Sequence, residues 1–176
     1  MKKLPLDSLS NRHTGLTSAL GDAFVEAASV CLSRHHKSPI EIMIDGLAER
    51  TVCTAEWMQP DARTNTAWAN VNDTTEAGAY AVSLASIELA EGLVAVGRAE
   101  TLTGADYYVA PVGAAAEDLE QCIRLEISGT DKGTDSEISA RLAKKVSQAR
   151  NGVSNLPAIA SVVGFGERKV VFERVG

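Results

Sequence analysis

What the sequence lacks removes several classes of protein at once. No stretch of about 18 apolar residues occurs, so nothing in the chain reads as a membrane-spanning helix. The opening "MKKLPLDSLSNRHTG" meets Pro5 and Asp7 before a signal-peptide apolar core could form, and the expectation is a cytoplasmic chain with no membrane partner. The three cysteines, Cys31, Cys53 and Cys122, are far apart and flanked by apolar neighbours. That pattern argues for reduced, buried thiols and against a disulfide frame or a zinc knuckle. Positive charge is in the minority, 17 Lys and Arg against 23 Asp and Glu, for a net charge of -6 and a pI near 5.1. A protein that grips phosphates over a broad basic surface is thereby excluded, and a narrow site helped by a metal ion or a partner is not. No glycine loop ending in Lys-Ser or Lys-Thr is present. "VVGFGE" carries two glycines without the following helix that a dinucleotide site needs. A nucleophilic triad is equally unsupported, since Cys31 and Cys122 sit in apolar-patterned segments and His13 in a polar one.

What is present is enough for a real core: 45% of the 176 residues are hydrophobic, and one domain over 1–176 is expected. From Thr14 to His36 the residues Leu16, Leu20, Phe24, Ala27 and Cys31 recur at helical steps. His35 and His36 then read as a solvated helix end, with Pro39 as the stop. Ile40, Ile42 and Ile44 alternate, and with "RTVCTA" they suggest a hairpin. "DARTNTAWANVND" reads as a polar connector carrying Trp68, completing an N-terminal part over 1–72. A helix follows, with Asp73 and Glu76 as a capping pattern and Gly92 just past its end; Glu88 borders its buried stripe. "LVAVGRAE", "ADYYVAP" and "CIRLEISG" are three short strands, the last two joined by the loop "GAAAEDLEQ". In the third, Ile123, Leu125 and Ile127 share one face, and Arg124, Glu126 and Ser128 the other. Tyr107 and Tyr108 point to opposite faces, one inward and one outward. A helix over "TDSEISARLAKKVSQAR" has the stripe Ile138, Leu142 and Val146, with Arg141, Lys144, Lys145 and Arg150 on its outer side. "LPAIASVVGFG" and "RKVVFERV" are strands, the first apolar on both faces and therefore central.

The order over 73–176, an αβββαβ-type arrangement with "TGAD" opening its second strand and "RLEIS" in its third, resembles the restriction-endonuclease-like, or PD-(D/E)XK, nuclease superfamily. The resemblance implies an α/β fold with a central mixed sheet flanked by helices, to which the N-terminal helix and β-hairpin are additions. It also implies a divalent metal, usually Mg2+, and hydrolysis of phosphodiester bonds in DNA or RNA. Carried over, it makes Asp106 and Glu126 the metal ligands, with Glu88 the acid supplied by the preceding helix. Where the family has lysine, two residues past the second carboxylate, this chain has Ser128. The missing cation would have to come from Lys132, Lys144 or Lys145. The competing expectation is a nuclease fold whose site has decayed, acting as an accessory module toward a protein partner or a second copy of itself.

Overall fold

The computed structural model describes residues 1–114 and 119–176. It is an α/β protein built on one mixed eight-stranded sheet in the order β1-β3-β2-β8-β7-β6-β5-β4. The strands are β1 (Lys2–Lys3), β2 (Ile40–Asp45), β3 (Arg50–Ala55), β4 (Leu93–Arg98), β5 (Tyr107–Pro111), β6 (Ile123–Thr130), β7 (Ala158–Gly164) and β8 (Lys169–Val175). The helices are α1 (Ser18–Ser33), α2 (Ala62–Ala67), α3 (Val71–Glu91) and α4 (Asp135–Arg150). Pairing is parallel at β1/β3, β2/β8 and β6/β7 and antiparallel elsewhere. The β7–β8 hairpin carries β8 to the side of β2, so the N-terminal hairpin extends the sheet of the C-terminal part.

The period-two alternation of the strands sorts the helices onto two faces. Leu125, Ile127, Val163 and Val170 enter the main core with residues of α1 and α3, while their strand neighbours Val162 and Val171 pack under Ile138 and Leu142 of α4. β7 is central and all seven of its residues are buried, as its two-faced apolar pattern requires. Helix ends follow local chemistry. Thr17 caps α1, Asn70 caps α3, and α4 opens on a reciprocal capping box between Thr134 and Glu137, a device worth about 1 kcal/mol. Gly92 closes α3 in the left-handed conformation that glycine adopts without strain.

Several expectations need correction. The connector holds a short helix, α2, capped by Asp61, and Trp68 donates from Nε1 to Glu26 of α1. His35 and His36 are not a solvated end: His35 Nε2 lies 3.1 Å from Asp131 and His36 Nε2 is 2.9 Å from the Phe165 carbonyl, tying the end of α1 to the segments that follow β6 and β7. Tyr107 and Tyr108 do face opposite ways, yet both are buried, Tyr108 in a small cluster with Ala110 and Cys122. Residues 115–118 of the "GAAAEDLEQ" loop lie outside the described residues, and a 3₁₀ turn at Leu119–Gln121 precedes β6. All three cysteines are reduced and buried; burial lifts the Cys31 thiol to about 12 and that of Cys53 to about 11. Among the described residues no helix is long and apolar enough to cross a membrane.

Candidate active site

The site arises where two paired strands part. β5 pairs with β6 only from Ile123 to Leu125, while β7 pairs with β6 along its whole remaining length. The β5 flank of residues 126–130 is therefore left without a ladder partner, and its backbone donors need acceptors. Asp106, immediately before β5, supplies one: its Oδ2 accepts the Ile127 N–H at 2.7 Å, while its own N–H donates to the Leu125 carbonyl at 2.8 Å. The gap opens into a cleft of about 1280 Å3, walled by the first turns of α3, the β4–β5 loop, the end of β6 and α4. Gly129 lets α3 approach this end of β6; a Cβ there would meet Ala79 Cβ at 2.8 Å and the Thr75 carbonyl at 2.9 Å.

Both faces of the sheet contribute to the cleft floor. From α4, Lys145 Nζ reaches Glu126 Oε1 at 2.5 Å, with the lysine side chain 20% exposed and the glutamate 3%. From α3, the Tyr80 hydroxyl lies 3.0 Å from Asp106 Oδ1 and 3.1 Å from Glu76 Oε1. A phenol has one proton for these two acceptors, so Tyr80 holds two carboxylates together while satisfying one at a time. Arg98, at the end of β4, donates to the Tyr80 hydroxyl at 3.3 Å and lies 3.5 Å from Asp106 Oδ1. Burial raises the pKa of Glu126, and repulsion from Asp106 adds to the rise, opposed chiefly by Lys145. Burial and then the Asp106 charge likewise raise that of Tyr80. A carboxylate such as Glu126, whose affinity for a proton is raised by a neighbouring negative charge, marks a place that favours a cation.

The sequence-derived candidates divide. Asp106 and Glu126 meet on the floor, and Lys132 and Lys144 line the rim with exposed side chains. Lys145, read as an outward residue, instead points under α4 to Glu126. Glu88 is elsewhere: it accepts from Arg12 Nε at 2.7 Å and pairs with His13 Nε2 at 3.0 Å, and it is absent from the cleft lining. The physical reason is the direction of α3, whose N-terminal half crosses the parted strands while Glu88 near its C-terminus fastens the N-terminal segment. Arg12 also donates to the carbonyls of Pro5, Asp7 and Ser8. Of the acids of α3, Glu76 lines the cleft. Glu76, Tyr80 and Arg98 were missed, although Glu76 extends the buried stripe of Tyr80, Ser83 and Ile87 by one turn.

Charge is partitioned within the cleft. Glu100 accepts from Tyr108, Asp131 is paired with Arg34 and His35, and Glu137 caps α4. These acids are committed locally, which leaves Arg98, Lys132, Arg141 and Lys144 around the floor carboxylates. Ser128, at the position of the expected lysine, accepts from Arg141 at 3.3 Å. Among the described residues no three His, Cys, Asp or Glu side chains form a ready-made metal cage. Magnesium does not ask for one: it keeps several waters and is held by one or two carboxylates, the number that Asp106 and Glu126 provide. In comparisons with known proteins, no family model, no curated protein and no solved structure matches this chain.

Proposed function

We propose that the protein is a metal-dependent nuclease of the restriction-endonuclease-like kind, with Asp106 and Glu126 as the magnesium ligands and Lys145 as the cation that Ser128 cannot supply. The observation that carries this reading is the contact of Lys145 with Glu126 across the interface of α4 and β6. It places a lysine ammonium beside the second carboxylate although the sequence position for it holds serine. The mixed sheet between helices and the two acids at the parting of β5 and β6 support the same reading.

Bound magnesium would supply a Lewis acid for a phosphoryl oxygen and a water of lowered pKa. The chain's own residues do the rest. The Ile127 N–H holds Oδ2 of Asp106, and the Tyr80 hydroxyl, shared with Glu76, lies against Oδ1, so the carboxylate is oriented before any ligand arrives. Lys145, fixed at Glu126, is positioned to balance negative charge growing on the phosphoryl oxygens. Lys132, Arg141 and Lys144 on the walls suit neighbouring phosphates of a strand, which reconciles phosphate binding with a net charge of -6.

The test is calorimetric titration with magnesium and manganese of the wild type and of the variant carrying Asp106→Asn and Glu126→Gln, followed by incubation of both with end-labelled single- and double-stranded DNA and RNA. Metal binding and strand cleavage in the wild type, both abolished in a variant that still melts cooperatively, are expected. A wild type that binds neither metal overturns the proposal.

A further inference from the structure

The geometry points to Arg98 as a phosphate-binding residue of this cleft, which receives a backbone phosphate of the nucleic acid beside Asp106. The inference rests on the nuclease reading above and adds to it the residue that seats the substrate. Arg98 is the last residue of β4, where the chain turns away along the cleft wall. Its guanidinium carbon lies 4.9 Å from the centroid of the Tyr80 ring and 4.8 Å from that of Tyr107. The two rings meet nearly edge to face, with centroids 5.7 Å apart and planes at 78°. The arginine head is thus seated in an aromatic corner, with cation–π attraction from both walls.

Two features distinguish this seat from a plain ion pair with Asp106. The contacts to the Tyr80 hydroxyl and to Asp106 Oδ1 are both made by one terminal nitrogen, and both are long, at 3.3 and 3.5 Å. The side chain also remains 52% exposed, on the cleft side of the rings. A guanidinium has five N–H donors in a planar fork that matches two oxygens of a phosphate. Arg98 is therefore held by the two rings and by the hydroxyls of Tyr80 and Tyr107, while the exposed part of its fork faces the cleft. The aromatic corner restricts a long side chain in the free protein and so lowers the ordering cost of binding. Its charge lies beside the pair of carboxylates that would hold the metal, so one phosphate can contact both cations.

The probe is a short fluorescein-labelled single-stranded oligonucleotide, followed by anisotropy with calcium in place of magnesium so that the strand stays intact. Arg98→Gln is expected to weaken binding about tenfold, the loss of one charge-assisted contact, and to lower the slope of log affinity against log salt by about one. Arg98→Lys should restore the slope without the full affinity, because an ammonium cannot fork across two oxygens. A thermal melt and a calorimetric metal titration of each variant accompany the assay. If wild type binds and cuts while a folded Arg98→Gln protein keeps its affinity and salt slope, the assignment of Arg98 fails and the nuclease reading stands. If Arg98→Gln loses metal and oligonucleotide binding together, Arg98 is a support for Asp106 and the assignment again fails. If wild type binds neither this probe nor its double-stranded form, as DNA or as RNA, the nuclease reading fails with it.

Discussion

Replacing Lys145 with methionine tests the central contact without relying on activity. The substitution keeps an unbranched chain, one atom shorter, and removes the ammonium with its charge and its hydrogen bonds to Glu126 and Gln148. In its absence Glu126, 3% exposed, keeps the Asp106 charge as a neighbour and loses its strongest opposing cation. Removing one member of a buried pair costs about 3–5 kcal/mol; the 20% exposure of Lys145 argues for the lower end, about 3 kcal/mol. For a chain of this size that corresponds to a fall of about 6–12 °C in melting temperature. The sign of the pH dependence follows from the raised pKa of Glu126. The folded state holds this proton more tightly than the unfolded state, so the Glu126 contribution to stability falls as pH rises from the ordinary glutamate value, 4.5, through the folded value. Lysine limits that loss. The variant should therefore be near wild type at the acid end of the window, where Glu126 is protonated, and fall progressively behind as pH rises. Urea unfolding from pH 4 to 9 measures the difference directly. Adding Glu126→Gln should recover most of the loss, because the orphaned charge is gone. A deficit below about 1 kcal/mol at pH 8, or one independent of pH, would refute the reasoning and with it the pairing of Lys145 with Glu126.

Glu88→Gln separates architecture from chemistry: with the carboxylate shared by Arg12 and His13 neutralised, a loss of about 2–3 kcal/mol in urea is expected while metal affinity stays at the wild-type value. Lost metal binding in a folded protein would return Glu88 to the site. His13 adds an acid limit to stability. Its Nδ1 accepts the Ala95 N–H, and burial lowers its pKa from 6.5, so its contribution is complete above that value and declines as pH falls toward the lowered one. An NMR titration in which the His13 ring charges at or above 6.5 would contradict this. Gly129→Ala should cost about 1–3 kcal/mol by pushing α3 off β6 and should weaken metal binding as well, since Tyr80 on that helix orients Asp106. Unchanged calorimetric affinity would uncouple the helix from the site.

How much of this was legible in the chain differs by element. Alternation along β6 placed Arg124, Glu126 and Ser128 on one face, and all three meet α4: Arg124 donates to the Ala149 carbonyl, Glu126 pairs with Lys145, and Ser128 accepts from Arg141. A period of two needs no tertiary information, which is why this part could be read. β1 and α2 escaped because two and six residues are too few to show a period. Glu76 reads with Asp73 as a capping pattern, although the cap is Asn70, and that it lines the cleft in place of Glu88 could not be found locally. Both border the buried side of α3, and which end of a helix crosses the gap between β5 and β6 is set by packing, here at Gly129 against Ala79 and Thr75.

Lys145 is the more instructive case, because its signal was present and was read past. Taking Ile138, Leu142 and Val146 as the inner stripe of α4 puts Lys145 outside. Continuing instead through the fully buried Ala149, in steps of four, three and four, gives Ile138, Leu142, Lys145 and Ala149, with a lysine where the stripe calls for an apolar residue. A cation on a buried stripe demands a carboxylate on the facing strand. In β6 the polar face offers one, Glu126, and the residue two positions further, where the resemblance expects lysine, is Ser128. The lysine on the buried stripe of α4 and the carboxylate on the polar face of β6 thus call for one another, and the periods of their two elements together lead to the contact at 2.5 Å.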